Sequence, residues 1–356
     1  MTPTQQVTSV EAPVITPEPD GSPRRAIGPR LILGKLAPRR ISAIYLLGVF
    51  IVLFGALRPE TFLTEVTFTL IFRSGVVTCI LALAFLVPLT AGVYDLSIGS
   101  VMALSLGTIV FLSLNTDLSA PVTVVIALLA CALSGAVSGF IVVKLHVDSF
   151  IATLGVSQVL TGVVLLMSKN TQLIGDFPEY WSELGNGDLL GVPRVVYMLV
   201  LLALVMWYVL EFTSIGRHLL ATGGNREAAR LAGVPTERVL WSAFIASGVI
   251  AGIAGAIFSM QSSVFSASIG PGYLFPAVAA VFLGASQLSQ RPNVWGTLIA
   301  YFALAFGIQG LALTTASGSV WSQPVFQGVS LIIAVAVASR PVVRKLRTSK
   351  ATGSVA

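Results

Sequence analysis

Apolar residues fall in long blocks along this chain, and short polar clusters separate them. An α-helix rises 1.5 Å per residue, so crossing a hydrocarbon core of roughly 30 Å takes about 20 apolar residues. The blocks predict spans at 41–57, 68–90, 95–114, 121–143, 149–167, 194–212, 239–260, 273–288, 294–313 and 322–339. The eighth is short and carries Gly272, Pro276 and Gly284, which reads as a half-helix or re-entrant segment. The expected fold is all-α, a polytopic membrane protein of about ten transmembrane helices. Residues 1–40 read as a disordered basic cytoplasmic tail, 41–339 as the transmembrane domain, and 340–356 as a second basic tail.

Composition agrees with the pattern. Of 356 residues, 55% are hydrophobic and only 10% are charged, against about 25% charged in soluble proteins. The net charge of +6 would suggest nucleic acid in a soluble protein; in a membrane protein the placement of the charges is more informative. With the N-terminus inside and ten crossings, seventeen of the 21 basic residues fall on the cytoplasmic side, where Lys and Arg concentrate. They include Lys144, Arg217, Arg226, Arg230, Arg238 and Arg291; only Arg58, Arg73, Lys169 and Arg194 fall outside or at the outer rim. Both termini are therefore expected in the cytoplasm. No signal-peptide core precedes Ile41, so the first span reads as uncleaved.

Several chemistries find no support. Cys79 and Cys131 lie inside apolar stretches and read as buried, inert thiols. His146 and His218 stand far apart with no ligand cluster around them. The Gly34-Lys35 pair has no phosphate-cradling loop, so any ATP must be bound by another chain.

Three segments carry polar chemistry. In Leu89–Ser100 a carboxylate (Asp95), hydroxyls (Ser97, Ser100) and glycines interrupt apolar sequence just after Pro88. Irregular backbone at membrane depth is tolerated only where protein or a wet cavity satisfies it. Asp95 is thus a cytoplasmic-face loop residue, a carboxylate on a permeation path, or a cap for the following helix. The second segment is the loop 213–238. Within it Asn225 to Ala232 reads as a short helix, capped by Asn225, favoured by Glu227 near its N-terminus, and ended by Gly233 and Pro235. Its Ala228, Ala229 and Ala232 offer a short-chained face for docking, and a loose surface helix is the alternative. The third is the outer loop 168–193, where Phe177, Tyr180 and Trp181 read as interfacial anchors amid Asp176, Glu179, Glu183 and Asp188. In spans four and seven, Gly135/Gly139, Gly248/Gly252 and Ala251/Gly255 form small-xxx-small pairs that let helices approach closely.

Together these segments resemble the ribose-type, or simple-sugar, family of ABC importer permeases. Tyr94-Asp95-Leu96-Ser97-Ile98-Gly99-Ser100 is similar to that family's Asp-Leu-Ser-x-Gly-Ser signature, and Phe150-Ile151-Ala152-Thr153-Leu154-Gly155 matches its Phe-Ile-Ala-Thr-Leu-Gly run. Gly216-Arg217, Gly223-Gly224-Asn225, Glu227-Ala228-Ala229 and Gly233 resemble its cytoplasmic coupling loop. The chain departs from the family's glycine-rich stretch at Leu283–Thr297, keeping only Gly284 and Gly296-Thr297.

The resemblance implies a permease subunit of an ABC importer for a monosaccharide-like solute, multi-pass in the cell (inner) membrane, with no catalytic site. Implied partners are a cassette ATPase holding ATP and Mg, an external solute-binding protein, a second permease copy or paralogue, and membrane lipid, with no nucleic acid. The candidate solute pathway comprises Tyr94, Asp95, Ser97, Ser100, Phe150 and Thr153. The candidate ATPase-coupling residues are Gly216, Gly223, Asn225, Glu227, Ala228, Ala229 and Gly233. The competing reading is an ion-gradient-driven secondary transporter with Asp95 and Asp148 as its carboxylates.

Overall fold

The computed structural model describes residues 42–285, 291–314, 323–330 and 332. Both expected tails and half of the expected span 322–339 lie outside them. The elements run α1 (Ser42–Leu57), α2 (Pro59–Phe62), α3 (Glu65–Thr90), α4 (Ile98–Asn115), α5 (Ala120–Lys144), α6 (Ser149–Ser168), β1 (Leu173–Ile174), α7 (Glu179–Asn186), β2 (Asp188–Leu189), β3 (Val192–Pro193), α8 (Arg194–Phe212), α9 (Ser214–Gly224), α10 (Arg226–Leu231), α11 (Thr236–Gln261), β4 (Val264–Phe265), α12 (Pro271–Ala285) and α13 (Val294–Thr314). Seven described helices (α3, α4, α5, α6, α8, α11 and α13) are long and apolar enough to cross a membrane, and α1 and α12 are shorter apolar helices.

Helices α3, α4 and α11 form the centre, each largely buried, while α5, α6 and α8 turn most of their surface outward. Lipid gives no hydrophobic drive between helices, so close backbone approach and hydrogen bonds must hold the bundle. The small residues of α5 and α11 supply both. A Cβ on Gly135 would collide with the Phe244 carbonyl, and one on Gly248 with the Cys131 carbonyl. Ser105 of α4 donates to the Gly252 carbonyl at 2.8 Å. Cys79 and Cys131 are buried and free. A second core joins α1, α2 and α13 through Phe54, Phe62 and Phe306.

The two ends of α8 and α11 carry different structures. At one end α7 covers the end of α11. Asn186 donates to the Met260 and Gln261 carbonyls at 3.3 and 3.2 Å, and a Cβ on Gly185 would strike Met260. This overturns the anchor expectation for Trp181, which is 3% exposed with its indole N–H donating to Ser259 at 3.3 Å. Tyr180 is exposed. The acidic cluster there is partly committed, since Asp188 pairs with Arg73 at 2.8 Å and Glu183 lies 4.0 Å from Arg194.

At the other end stand α9 and α10, with Lys144 bridged to Glu237 at 2.8 Å and Arg291 to Glu211 at 2.7 Å.

Beyond α11 the chain enters the bundle without helical structure. β4 pairs with β1, Phe265 lies against Gly107 of α4, and Gly270 meets Gly99, where a Cβ on Gly99 would sit 2.7 Å from the Gly270 carbonyl. Gly107 and Gly99 are about 12 Å apart along α4, so this stretch descends beside α4 before α12 begins. The short eighth block follows from that descent, because α12 starts part-way down. The retained glycines of the α12–α13 turn also have a reason: a Cβ on Gly284 would lie 2.6 Å from the Gly296 carbonyl carbon. Asn293 fixes this turn, accepting from the Gly296 amide at 2.7 Å and donating to the Gly284 carbonyl at 3.4 Å.

Candidate functional site

Pro88 sits in the last turn of α3, and Gly92 leaves the helix with a φ of +80°, a conformation that glycine adopts without strain. The six residues that follow are held from three sides. On their own chain, Asp95 Oδ1 accepts from the Ser97 amide at 3.0 Å and the Ser97 hydroxyl at 2.5 Å. From α11, the Ser247 hydroxyl donates to Asp95 Oδ2 at 2.7 Å. Asp95 is 1% exposed and Ser97 1%. A buried carboxylate is costly unless its oxygens are hydrogen bonded, and here both oxygens are. The side chain acts as a turn lock just ahead of α4; it holds the N-cap residue Ser97, and none of these bonds reaches an amide inside the helix.

The third side is α6. The Tyr94 amide donates to Ser149 Oγ at 3.1 Å and the Leu96 amide to Thr153 Oγ1 at 3.1 Å. Ser100 Oγ lies 2.7 Å from Ser157 Oγ and 3.4 Å from Thr161 Oγ1. Ser149, Thr153, Ser157 and Thr161 recur every four residues, which puts them on one helix face. The lower two rungs, Ser149 and Thr153, satisfy two amides freed by the helix break, as irregular chain inside a membrane requires, and the upper two meet the Ser100 hydroxyl.

The ladder joins the two motifs that stand far apart in sequence. Thr153 and Ser100 meet the break, whereas Phe150 is exposed and faces away from it; its amide is instead capped by Asp148 at 2.9 Å. Tyr94 is half-exposed, its ring 6.3 Å from Phe85 and 6.4 Å from Phe282. Sequence reasoning missed Ser149, Ser157 and Thr161, although their four-residue spacing in an apolar helix is a readable signal. Ser247 sits beside Gly248 in the small-residue stretch of α11, and nothing local distinguishes it.

At its upper end the ladder opens into a cavity of about 360 Å³ lined by Thr161, Ser168, Asn170, Gln172, Ser266 and Ser268, among others. Among the described residues no charged side chain lines it.

At its lower end the break touches α9. A Cβ on Gly92 would lie 3.1 Å from Gly223 Cα, and one on Gly223 would collide with the Thr90 carbonyl. Gly216 has a similar close approach to the Leu210 carbonyl. The expected short helix is α10, with Asn225 accepting from the Ala228 amide at 2.9 Å and Gly233 closing it at a φ of +85°. Glu227 is exposed and pairs with Arg230 at 2.7 Å. Ala228 is exposed, but Ala229 turns inward at 6% exposure, so the outer face carries Leu231 (80% exposed) in its place.

Residues 67–336 match the family model described as branched-chain amino acid transport system / permease component. The ribose import permease protein RbsC of Escherichia coli (strain K12) is 33% identical over 293 residues, covering 81% of this chain and 90% of that protein. The L-arabinose transport system permease protein AraH of the same organism is 31% identical over 262 residues, 74% of this chain and 78% of its own. The autoinducer 2 import system permease protein LsrC of Photorhabdus luminescens is 31% identical over 249 residues, 69% of this chain and 74% of its own. No solved structure matches the chain. With its apolar helices this is a multi-pass inner-membrane protein, and in its family ATP hydrolysis lies on a separate subunit. The chain belongs to the ribose-type branch of this ABC importer permease family, whose members are membrane-spanning and not catalytic.

Proposed function

We propose that this permease carries a neutral, monosaccharide-like solute inward, from the cavity at the top of α6 along the seam between α4 and α6. The hydroxyl- and amide-lined cavity supports this reading, since it offers hydrogen bonds and no charge. A zwitterionic amino acid would call for charged partners in such a site; a sugar's hydroxyls do not. The relatives' names, which specify ribose and L-arabinose, point the same way. From Thr161 the ladder continues toward the other end of the bundle, its lower hydroxyls at Thr153 and Ser149 holding the break that borders the path.

Basic residues gather at the α9–α10 end, which supports placing that end in the cytoplasm with both termini and ten spans in all, the tenth falling in 322–339. There α10 docks on a cassette ATPase holding ATP and Mg. The Gly92–Gly223 contact passes its movement to the break at Asp95. The α7 end receives an external solute-binding protein, and a second permease copy or paralogue completes the assembly. ATP and the loaded binding protein act by favouring one of two states that expose the seam to opposite sides.

The test is uptake of radiolabelled D-ribose and L-arabinose in cells expressing the complete transporter. Thr161→Lys places a charge in the cavity and abolishes uptake, while Thr161→Ser preserves it. Normal uptake by Thr161→Lys overturns the pathway.

A further inference from the structure

A cleft of about 580 Å³ opens between α8 and α11, with α9 closing its lower end and no residue of α4 or α6 in its described lining. Its walls are apolar (Leu202, Met206 and Val209 of α8; Ala243, Ala246 and Ile250 of α11), with Ser242 the one hydroxyl among the described lining residues. Such walls cannot hydrogen-bond a sugar. At the lower mouth stand Arg238 and His218. Among the described residues neither side chain makes an ion pair or a side-chain hydrogen bond. The acidic groups nearby are taken: Glu237 by Lys144 and Glu211 by Arg291. The cleft therefore has an uncompensated cationic mouth and a greasy interior.

From Arg238 to Ile250 the cleft follows α11 for about 18 Å. One leaflet of a roughly 30 Å core is about 15 Å deep, so the length of the cleft matches the depth of one leaflet. We infer that it binds an anionic phospholipid, with the phosphate at Arg238 and His218 and one acyl chain between α8 and α11. Basic pockets between helices at this depth hold such headgroups. Because Ile215, His218 and Leu219 of α9 also line it, the bound lipid braces the helix whose Gly223 meets the break.

The full chain, delipidated in detergent, is titrated with phosphatidylglycerol or phosphatidylcholine and followed by native mass spectrometry. Wild type retains phosphatidylglycerol preferentially. Arg238→Gln lowers that preference about fivefold, the weight of one surface cation, and Arg238→Lys restores it. Ala246→Trp, which fills the cleft, abolishes retention of both lipids. Equal retention of the two lipids by wild type, or an unchanged preference in Arg238→Gln, overturns the site. So does a lipid-free dimer that Ala246→Trp dissociates, which would make a second copy the occupant.

Discussion

Thr153 and Leu96 lie 57 residues apart in sequence, yet the Leu96 amide donates to the Thr153 hydroxyl at 3.1 Å. That bond makes one unit of the helix break and the following helix pair. Thr153 is fully buried and also donates to the Ser149 carbonyl at 2.7 Å. Thr153→Val keeps the shape and removes the acceptor, leaving a buried amide unsatisfied at about 1–3 kcal/mol. The melting temperature should fall and uptake with it, and Thr153→Ser should recover most of both. A thermal melt of the three proteins checks it.

Asp95 holds three donors: the Ser97 amide, the Ser97 hydroxyl and the Ser247 hydroxyl. Asp95→Ala strands them in a buried site, which predicts a loss of at least about tenfold in uptake at about 1.4 kcal/mol per decade. Docking of the ATPase, proposed for α10, should persist. Uptake and co-purification measured on the same preparation separate the two effects.

Gly92 and Gly223 face each other where the break meets α9. Gly92→Ala combines a φ of +80° with a Cβ 3.1 Å from Gly223 Cα, so it should destabilise by more than the roughly 1 kcal/mol of conformational preference alone. If this contact transmits movement, a transporter assembled with the variant hydrolyses ATP on its ATPase subunit without matching uptake. The ratio of phosphate released to sugar accumulated reads this directly.

The two faces of α10 give opposite expectations. Leu231→Arg, on the exposed face, should abolish co-purification of the ATPase and leave the melting temperature unchanged. Ala229→Leu, on the buried face, should lower the melting temperature by overpacking, at about 1–3 kcal/mol. Glu227→Arg should also stop uptake while the protein still reaches the membrane.

Much of this architecture was legible because its signals are local. Apolar blocks located the helices to within a few residues: 121–143 became Ala120–Lys144, and 149–167 became Ser149–Ser168. The Asn225 cap and the Gly233 stop were readable because capping depends on neighbours in sequence. What pattern cannot reveal is which side of a short helix faces inward, so Ala229 was assigned to the docking face although it is buried. Trp181 misled for a related reason. Its position in a polar loop suggested a surface anchor, but α7 folds back onto the end of α11 and takes the indole inside. The meeting of Asp95 with Ser247, 152 residues away, is tertiary and left no local trace.

The ion-gradient alternative required Asp95 and Asp148 as coupling carboxylates. Asp95 is engaged by its serines, and Asp148 caps α6 through the Phe150 and Ile151 amides at 2.9 and 3.4 Å. Proteoliposomes discriminate most directly between that alternative and an ATP-driven route along the α4–α6 seam. Loaded with the permease, its ATPase subunit and the binding protein, they should accumulate labelled sugar only when ATP is supplied to the ATPase. Accumulation by vesicles holding this chain alone, driven by a proton or sodium gradient, would contradict the account.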